Sequence, residues 1–242
     1  MPRLADLAVI FIGTNKYLNF LPTWYESCEK YLAPGHKKQY FVFTDGELEG
    51  LPDNITHYHQ EHLPWPYITL YRFATILKAS EEIRNYDYLL FLDADMRVVD
   101  TVKPEDLFTD KPYIGVHHPC HFLGMNPHKE FPGAFETNPK STAKVPDDYD
   151  FKYYLQGCLW GGRVPEVIDM MEELDSRTKQ DEENDFIAQW HDESQLNAFY
   201  AQHPNDVHTL GSQFAYPEVF AGFCEFDPVI VHLAKDNSKY QV

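Results

Sequence analysis

The chain has 242 residues, 43% hydrophobic and 15% aromatic, which is typical of a folded globular protein with one large or two small α/β domains. Its formal net charge of -18 opposes nucleic acid and anionic membranes as general partners, because both are negatively charged. The four cysteines lie far apart without a Cys-x-x-Cys pair, so we expect free thiols rather than a thiolate zinc site. Without a signal-peptide pattern or an apolar stretch of membrane-span length, the sequence predicts a soluble, cytoplasmic protein.

The N-terminal third predicts alternating strands and helices. Apolar, β-rich runs predict strands at 7–13, 39–44 and 55–59. Apolar residues at helical spacing predict helices over 18–32 and 68–83. Because a strand, a helix and a strand open the chain in that order, we expect a parallel sheet with a right-handed crossover.

The run Tyr88–Leu92 predicts a buried central strand, and two aspartates, Asp93 and Asp95, follow it directly. In an α/β sheet, ligands bind beyond the carboxyl ends of the strands, which is where these two carboxylates are expected. A divalent metal would offset the cost of desolvating them. The pattern therefore makes this strand end a candidate metal site.

Other interpretations of Asp93-Ala94-Asp95 compete with metal binding. A calcium loop would need Gly at its sixth position and Glu at its twelfth, where this chain has Val98 and Pro104. A phosphatase of the haloacid-dehalogenase type would carry Thr or Val where Arg97 stands. An exposed turn with two solvated acids needs no ligand at all, and this stretch alone leaves that interpretation and a metal site both open.

The remainder of the chain predicts further strands and helices without a linker or repeat. Predicted strands are 113–116 and a glycine-rich apolar segment at 153–162, whose glycines suggest strand bends or a close approach to a ligand. The tail after the run 229–233 is polar. Predicted helices are 164–174 and 186–200, with an exposed acidic segment at 181–185 between them. The stretch 122–150 carries little periodicity, and a loop of that length is usually functional.

Three separated motifs resemble glycosyltransferase family 6, the family of the histo-blood-group A and B transferases and their bacterial relatives. The first is Tyr88–Met96, the second extends from Glu136 to Gly162, and the third is Trp190–Asn197, with the sequence Trp-His-Asp-Glu-Ser-Gln-Leu-Asn. The resemblance covers nearly the whole chain. It implies a GT-A fold, a Rossmann-like mixed sheet flanked by helices in a single α/β domain over 1–242. Residues 1–100 would form the nucleotide-binding half, and residues 101–242 the acceptor-binding half and tail.

The resemblance also implies an activity, the retaining α-1,3 transfer of GalNAc or Gal from the UDP-sugar to a galactoside acceptor. Many bacterial members replace the aspartate pair by asparagines and are metal-independent. Because this chain keeps Asp93 and Asp95, the resemblance implies a Mn²⁺-dependent enzyme, with Mg²⁺ as the alternative cation. More distant alternatives are a phosphatase, a carbohydrate-binding protein without catalysis, and a nucleotidyltransferase that consumes UTP and a sugar phosphate.

The resemblance also implies roles for individual residues that match the family's motifs. Glu193 would be the catalytic residue, and His118, Trp190 and Glu193 would contact the acceptor. On sequence alone, Phe11 and Ile12 also suit an ordinary strand core, and Arg72 suits a solvated helix cation. The donor-binding residues that the resemblance implies are Phe11, Ile12, Tyr17, Arg72, Asp93, Ala94, Asp95, Leu155, Gln156, Gly157, Asp192 and Lys235.

The triplet Leu155-Gln156-Gly157 occupies the place where family members set donor choice. Leu and Gly at its ends resemble the A-type enzyme and favour UDP-GalNAc over UDP-Gal, with a fucosylated galactose (H-type) as acceptor. Gln156 departs from the small residue usual in the middle, and Thr137-Asn138 replaces the arginines that are common after the family's Glu. Lys235 resembles a basic tail residue that contacts the diphosphate, and Lys239 would assist it.

Overall fold

The fold is built on a mixed seven-stranded sheet in a computed structural model that describes residues 5–119, 135–149, 154–236 and 240. The strand order is β3-β2-β1-β4-β7-β6-β8. The pairs β1–β2, β2–β3, β1–β4 and β6–β8 are parallel, whereas β7 is antiparallel to both β4 and β6. The strands are β1 Leu7–Ile12, β2 Lys38–Thr44, β3 Ile55–His59, β4 Tyr88–Leu92, β6 Tyr113–His117, β7 Leu155–Arg163 and β8 Val207–Leu210.

A second, smaller sheet lies beside the end of β4. It has the order β5-β10-β9, formed by Met96–Val98, Ile230–His232 and Tyr216–Pro217. Its middle strand pairs His232 with Met96, directly after Asp95. The smaller sheet therefore brings the end of the chain to the carboxyl edge of the large sheet.

Helices cover both faces of the large sheet, as alternation along β1 requires. Leu7, Val9 and Phe11 face one core with α1, and Ala8 and Ile10 face the other with α3, α6 and α7. The helices are α1 Leu21–Tyr31, α2 Tyr67–Leu70, α3 Arg72–Leu77, α4 Ser80–Ile83, α5 Pro104–Leu107, α6 Val164–Glu183 and α7 His191–Gln202. The predicted GT-A type α/β fold with a mixed sheet is thus confirmed.

The single helix predicted over 68–83 is wrong, because the chain forms three short helices there. The backbone leaves the helical region at Tyr71 (φ -97°, ψ 21°) and at Ala79 (φ -102°, ψ 9°). Tyr71 donates a hydrogen bond to Glu182 of α6, while its neighbour Arg72 is buried beneath the sheet edge. Two consecutive side chains anchored to different elements account for the break after α2.

Two other boundaries differ from the sequence prediction. Helix α6 continues to Glu183 through the segment predicted as exposed and acidic, because Asp181 is buried and accepts hydrogen bonds from Ser141 and Thr142. Helix α7 begins at His191 rather than Phe186. Strand β8 was not predicted from the sequence.

The paired glycines of β7 serve strand packing rather than ligand contact. A Cβ on Gly161 would lie 2.1 Å from the carbonyl oxygen of Leu89, and one on Gly162 would lie 2.0 Å from that of Pro112. The close approach that the sequence suggested is therefore between neighbouring strands at these positions.

Cysteine state and membrane spanning were also expectations from the sequence. Cys28, Cys158 and Cys224 are free, and Cys120 lies outside the described residues. Within the part of the chain that the structure describes, no helix is long and apolar enough to cross a bilayer. The compartment stays a prediction from the sequence.

Candidate active site

A cavity of about 740 Å³ opens at the carboxyl edge of the parallel strands, next to the end of β4. Apolar side chains, including Ile12 and Ile68, line one part of it, and charged groups line the other. Of the residues predicted to bind the donor, this larger cavity contains Ile12, Tyr17, Arg72, Asp93, Ala94, Asp95 and Lys235 in its wall.

Asp93 and Asp95 lie together in that wall, and in each carboxylate one oxygen contacts basic side chains of the protein. Arg72 donates to Oδ1 of Asp93 at 3.1 Å, and His232 and Lys235 both contact Oδ2 of Asp95. Burial and the charge of Asp95 raise the pKa of Asp93. Burial acts the same way on Asp95, but His232 and Lys235 outweigh it and hold the pKa of Asp95 below its ordinary value.

These two carboxylates suit a hard divalent cation. Each keeps a second oxygen that has no partner among the described residues, and carboxylate oxygens are the ligands that Mn²⁺ and Mg²⁺ prefer. The described ranges contain no group of three or more His, Cys, Asp or Glu that could hold a metal ion. A cation here would therefore need further oxygens from a bound ligand.

Arg72 connects this carboxylate pair to a second acidic group. Its NH1 atom donates to Oδ2 of Asp192 at 2.5 Å and to the carbonyl oxygen of Gly157 at 3.0 Å, while NH2 contacts Asp93. The residue is only 7% exposed, so the interpretation of Arg72 as a solvated helix cation is wrong. Burial raises the pKa of Asp192 to about 7, and the charge of Arg72 opposes that rise.

A smaller cavity of about 210 Å³ adjoins the larger one and contains the acidic start of α7. Thr69, Arg72, Asp93 and His232 line both cavities. Helix α7 begins at His191, whose backbone lies in the left-handed region (φ 52°). Asp192 and Glu193, in the first turn of this helix, line the cavity. The amide groups of a helix N-terminus favour negative side chains at this position.

Glu193 is fixed by two short hydrogen bonds. The hydroxyl of Tyr154 donates to Oε1 at 2.6 Å, and the backbone N–H of Gly157 donates to Oε2 at 2.7 Å. Burial raises the pKa of Glu193, and both hydrogen bonds oppose that rise because they favour the charged carboxylate. The carboxylate is therefore held in one orientation at the wall of the smaller cavity.

The Leu155-Gln156-Gly157 triplet reaches this wall because β7 is antiparallel to β4: the N–H of Asp93 donates to the carbonyl of Cys158 at 2.9 Å, and the triplet directly precedes Cys158. A Cβ on Gly157 would lie 3.2 Å from Cβ of Glu193 and 3.5 Å from Oδ2 of Asp192. Gln156 and Gly157 line the smaller cavity. Leu155 is buried, and its backbone is clamped by Asn197, which bonds to both its N–H and its carbonyl.

The residues predicted for the acceptor are less closely grouped. Trp190 lines the smaller cavity, and its indole Nε1 has no hydrogen-bond partner among the described residues. The His118 ring lies 5.7 Å from the ring of Tyr154 and outside the linings of both cavities. Residues 122–134 and 150 of the predicted loop lie outside the described residues, as does Lys239.

Phe11 is the predicted donor-binding residue that lies deepest. It is fully buried against Trp24, with ring centroids 5.1 Å apart, and it lines neither cavity. Its ring packs under Gly13, which does line the larger cavity. Its contact with a nucleotide stays a prediction.

Sequence reasoning missed several residues of the two walls. They come from separate segments and include Thr14, His62, Trp65, Thr69, His232 and Tyr240; Tyr154, which lines neither cavity but holds Glu193, was missed as well. His232 had a signal, since it lies at the end of a short apolar run, as Asp93 lies directly after the apolar run Tyr88–Leu92. Thr14 had the same kind of signal, since it directly follows the predicted strand 7–13, whereas the others stand in segments without a strand-end pattern.

Proteins similar in sequence to this chain are glycosyltransferases. The sequence model of glycosyltransferase family 6 matches residues 5–216. The chain is 29% identical over 215 residues to the O-antigen biosynthesis glycosyltransferase WbnI of Escherichia coli, covering 88% of each chain. It is 29% identical over 231 residues to the histo-blood group ABO system transferase 2 of Rattus norvegicus, covering 91% of this chain and 66% of the relative.

A third relative carries a more specific name. The chain is 28% identical over 218 residues to the globoside alpha-1,3-N-acetylgalactosaminyltransferase 1 of Homo sapiens, covering 85% of this chain and 60% of the relative. The chain thus spans slightly under two thirds of these two mammalian relatives but most of the bacterial one.

Proposed function

Because this chain belongs to glycosyltransferase family 6 and is a glycosyltransferase, we propose that it transfers GalNAc from UDP-GalNAc to a galactoside acceptor in α-1,3 linkage with retention. One observation carries the proposal: a cavity bounded by Asp93 and Asp95 adjoins a smaller one bounded by Asp192 and Glu193. The first would take the nucleoside diphosphate, and the second the transferred sugar. UDP-Gal is the alternative donor.

Metal dependence is part of this proposal and rests on the chemistry of the aspartate pair. Asp93 and Asp95 would hold Mn²⁺ or Mg²⁺ through their unpartnered oxygens, and the diphosphate would supply further oxygen ligands. When bound, the cation would act as a Lewis acid that stabilises charge on the departing diphosphate. Lys235, beside Asp95, would add a second positive charge there.

Glu193 would act on the anomeric carbon of the donor sugar. Its orientation by Tyr154 and Gly157 suits a group that must face one atom, either as a covalent nucleophile or as a stabiliser of an oxocarbenium-like state. Asp192, held by Arg72, would accept hydrogen bonds from donor-sugar hydroxyls. Trp190 would stack on the acceptor and donate its free Nε1–H.

The donor preference rests on the space beside Gly157. Because a Cβ there would press against Glu193, glycine keeps free the volume that a 2-acetamido group would need. The name of the human relative, an N-acetylgalactosaminyltransferase, favours the same donor. We propose UDP-GalNAc and an H-type, fucosylated galactose as acceptor on these grounds.

A UDP-release assay tests the proposal. UDP-GalNAc and UDP-Gal are each supplied with Mn²⁺ or EDTA, with and without 2′-fucosyllactose. We expect Mn²⁺-dependent release that favours UDP-GalNAc and rises with the acceptor, and a loss of at least about 100-fold in Glu193→Gln. The matched control Glu172→Gln, an exposed acid on α6, should keep full activity.

Three results would contradict parts of the proposal. Release that EDTA does not change would exclude the metal role of the aspartates. Full activity in Glu193→Gln would exclude its catalytic role. UDP-sugar binding without release would favour a binding protein that has lost catalysis.

A further inference from the structure

His232 occupies the junction of the two cavities and lines both. Its two ring nitrogens contact different partners. Nε2 lies 3.1 Å from Oδ2 of Asp95, and Nδ1 lies 3.4 Å from Nε2 of Gln156. One imidazole thus joins the carboxylate of the larger cavity to an amide of the smaller cavity.

The backbone fixes where this ring lies. His232 pairs with Met96 in the antiparallel ladder of β5 and β10, and the N–H of Leu233 donates to the carbonyl of Asp95 at 2.9 Å. The strand that carries His232 is therefore bonded to the residue that its ring contacts. Movement of the His232 backbone relative to Asp95 would require breaking this small sheet, so the ring can leave Asp95 only by rotation about its own side-chain torsions.

The side-chain amide of Gln156 has a hydrogen-bond partner, the His232 ring, at only one of its two polar atoms. One atom faces Nδ1 of His232, and the oxygen has no hydrogen-bond partner in the described part of the chain, although it is buried. An unpartnered buried amide atom costs free energy until a ligand group satisfies it. Because the side chain lines the smaller cavity, the donor sugar is the ligand within reach of that wall.

We propose that His232 is a positioning residue that serves both ends of the donor. Through Nε2 it orients the Asp95 carboxylate for a divalent cation, as residues behind a metal ligand commonly do. Through Nδ1 it orients the Gln156 amide toward the sugar, where the free amide atom helps distinguish a 2-acetamido from a 2-hydroxyl group. The inference rests on the proposed function and adds a residue that links cation affinity to donor choice.

Substitutions of His232 that place an amide at the position of only one ring nitrogen can separate its contact with Asp95 from its contact with Gln156. The amide of a glutamine reaches about as far as Nε2 of histidine, and that of an asparagine about as far as Nδ1. His232→Gln should therefore keep the contact with Asp95 and lose that with Gln156. His232→Asn should do the reverse, and His232→Ala should lose both.

Two binding measurements, independent of turnover, report the two contacts. Calorimetry gives the Mn²⁺ affinity in the presence of UDP, and the ratio of the dissociation constants of UDP-GalNAc and UDP-Gal. We expect His232→Ala and His232→Asn to weaken Mn²⁺ binding about 10-fold, with His232→Gln close to the unaltered protein. We expect His232→Ala and His232→Gln to change the donor ratio about 3-fold or more, with His232→Asn unchanged.

The control is His208→Ala, a histidine of edge strand β8 that lines neither cavity, and it should change neither quantity. Unchanged values in His232→Ala, or identical behaviour of the Gln and Asn variants, would overturn the inference. If the unaltered protein bound neither Mn²⁺ nor a UDP-sugar, the proposed function itself would fail. If it bound both and the variants did not separate the two effects, only the role of His232 would fail.

Discussion

Glu193 is a half-buried acid whose ionised form accepts hydrogen bonds from one tyrosine hydroxyl and one backbone amide. Burial raises its pKa, whereas the hydrogen bond from Tyr154 lowers it, because that bond is made to the ionised form. A carboxylate that attacks or stabilises a cationic centre must be ionised. Tyr154 is therefore expected to set the lower pH limit of activity.

Tyr154→Phe should move the acidic limb of the pH profile of kcat upward by about half to one pH unit. The sign follows from the lost hydrogen bond, since removing a donor to the carboxylate raises the pKa of Glu193 further. Activity well above that limb should change little. The measurement is kcat against pH for the variant and the unaltered protein.

Tyr200→Phe is the matched control for this pH shift. Tyr200 is also buried, but its hydroxyl donates to the carbonyl of Ile114 and does not contact Glu193. Its variant should keep the original acidic limb. An acidic limb that stays in place in Tyr154→Phe would show that this hydrogen bond does not govern the ionisation that matters.

At the scale of elements, Arg72 joins three parts of the fold that meet at the site. From α3 it reaches the end of β4 at Asp93, the start of α7 at Asp192, and the carbonyl of Gly157 in β7. Removing one partner of a buried ion network leaves uncompensated charge, which is costlier than losing an exposed pair. Arg72 should therefore matter for folding as well as for the site.

Arg72→Met should lower the free energy of unfolding by about 3–5 kcal/mol, as measured by urea denaturation. The same substitution at Arg84 is the control, because its pair with Glu172 is half exposed on both sides and 3.5 Å apart. Arg84→Met should change the free energy of unfolding by less than about 1 kcal/mol. Equal effects of the two variants would mean that the buried network contributes nothing beyond a surface pair.

The strands were more predictable from the sequence than the helices. The central strand Tyr88–Leu92 was predicted at its observed bounds, because a short apolar run ended by acids has few other structures available. The helix over 68–83 was predicted as continuous because the spacing of apolar residues within that segment carries no information about the hydrogen bond from Tyr71 to Glu182 of α6. Asp181 was predicted to be exposed, since the loop that buries it, carrying Ser141, is distant in sequence.

At the scale of the whole molecule, the site is assembled from both ends of the chain. Asp95 and His232 are in hydrogen-bond contact although 137 positions separate them, and Tyr240 packs against Tyr17 with ring centroids 5.1 Å apart. The motifs located Asp93, Asp95 and Glu193. They could not locate His232, because its position depends on how the smaller sheet pairs β5 with β10, or Tyr240, because its contact is with the distant Tyr17.

Ligand binding should therefore stabilise the fold as a whole. A ligand in the larger cavity would contact β1, the end of β4 and the C-terminal segment together, and it has no such site in the unfolded chain. At a concentration of 100 times its dissociation constant, it would add about 2.7 kcal/mol to the free energy of unfolding. For a chain of this length, that corresponds to a rise in Tm of roughly 5–10 °C.

UDP with Mn²⁺ should produce this rise in a thermal unfolding scan, and UDP with EDTA should produce a clearly smaller one. The difference has a physical cause: the formal net charge of -18 opposes binding of a diphosphate, and Arg72 and Lys235 are the only Lys or Arg side chains among the described residues that line the larger cavity. ADP with Mn²⁺ is the control for the nucleobase and should raise Tm less than UDP with Mn²⁺. Equal shifts with Mn²⁺ and with EDTA would mean that these two side chains suffice, and that Asp93 and Asp95 serve the fold rather than a cation.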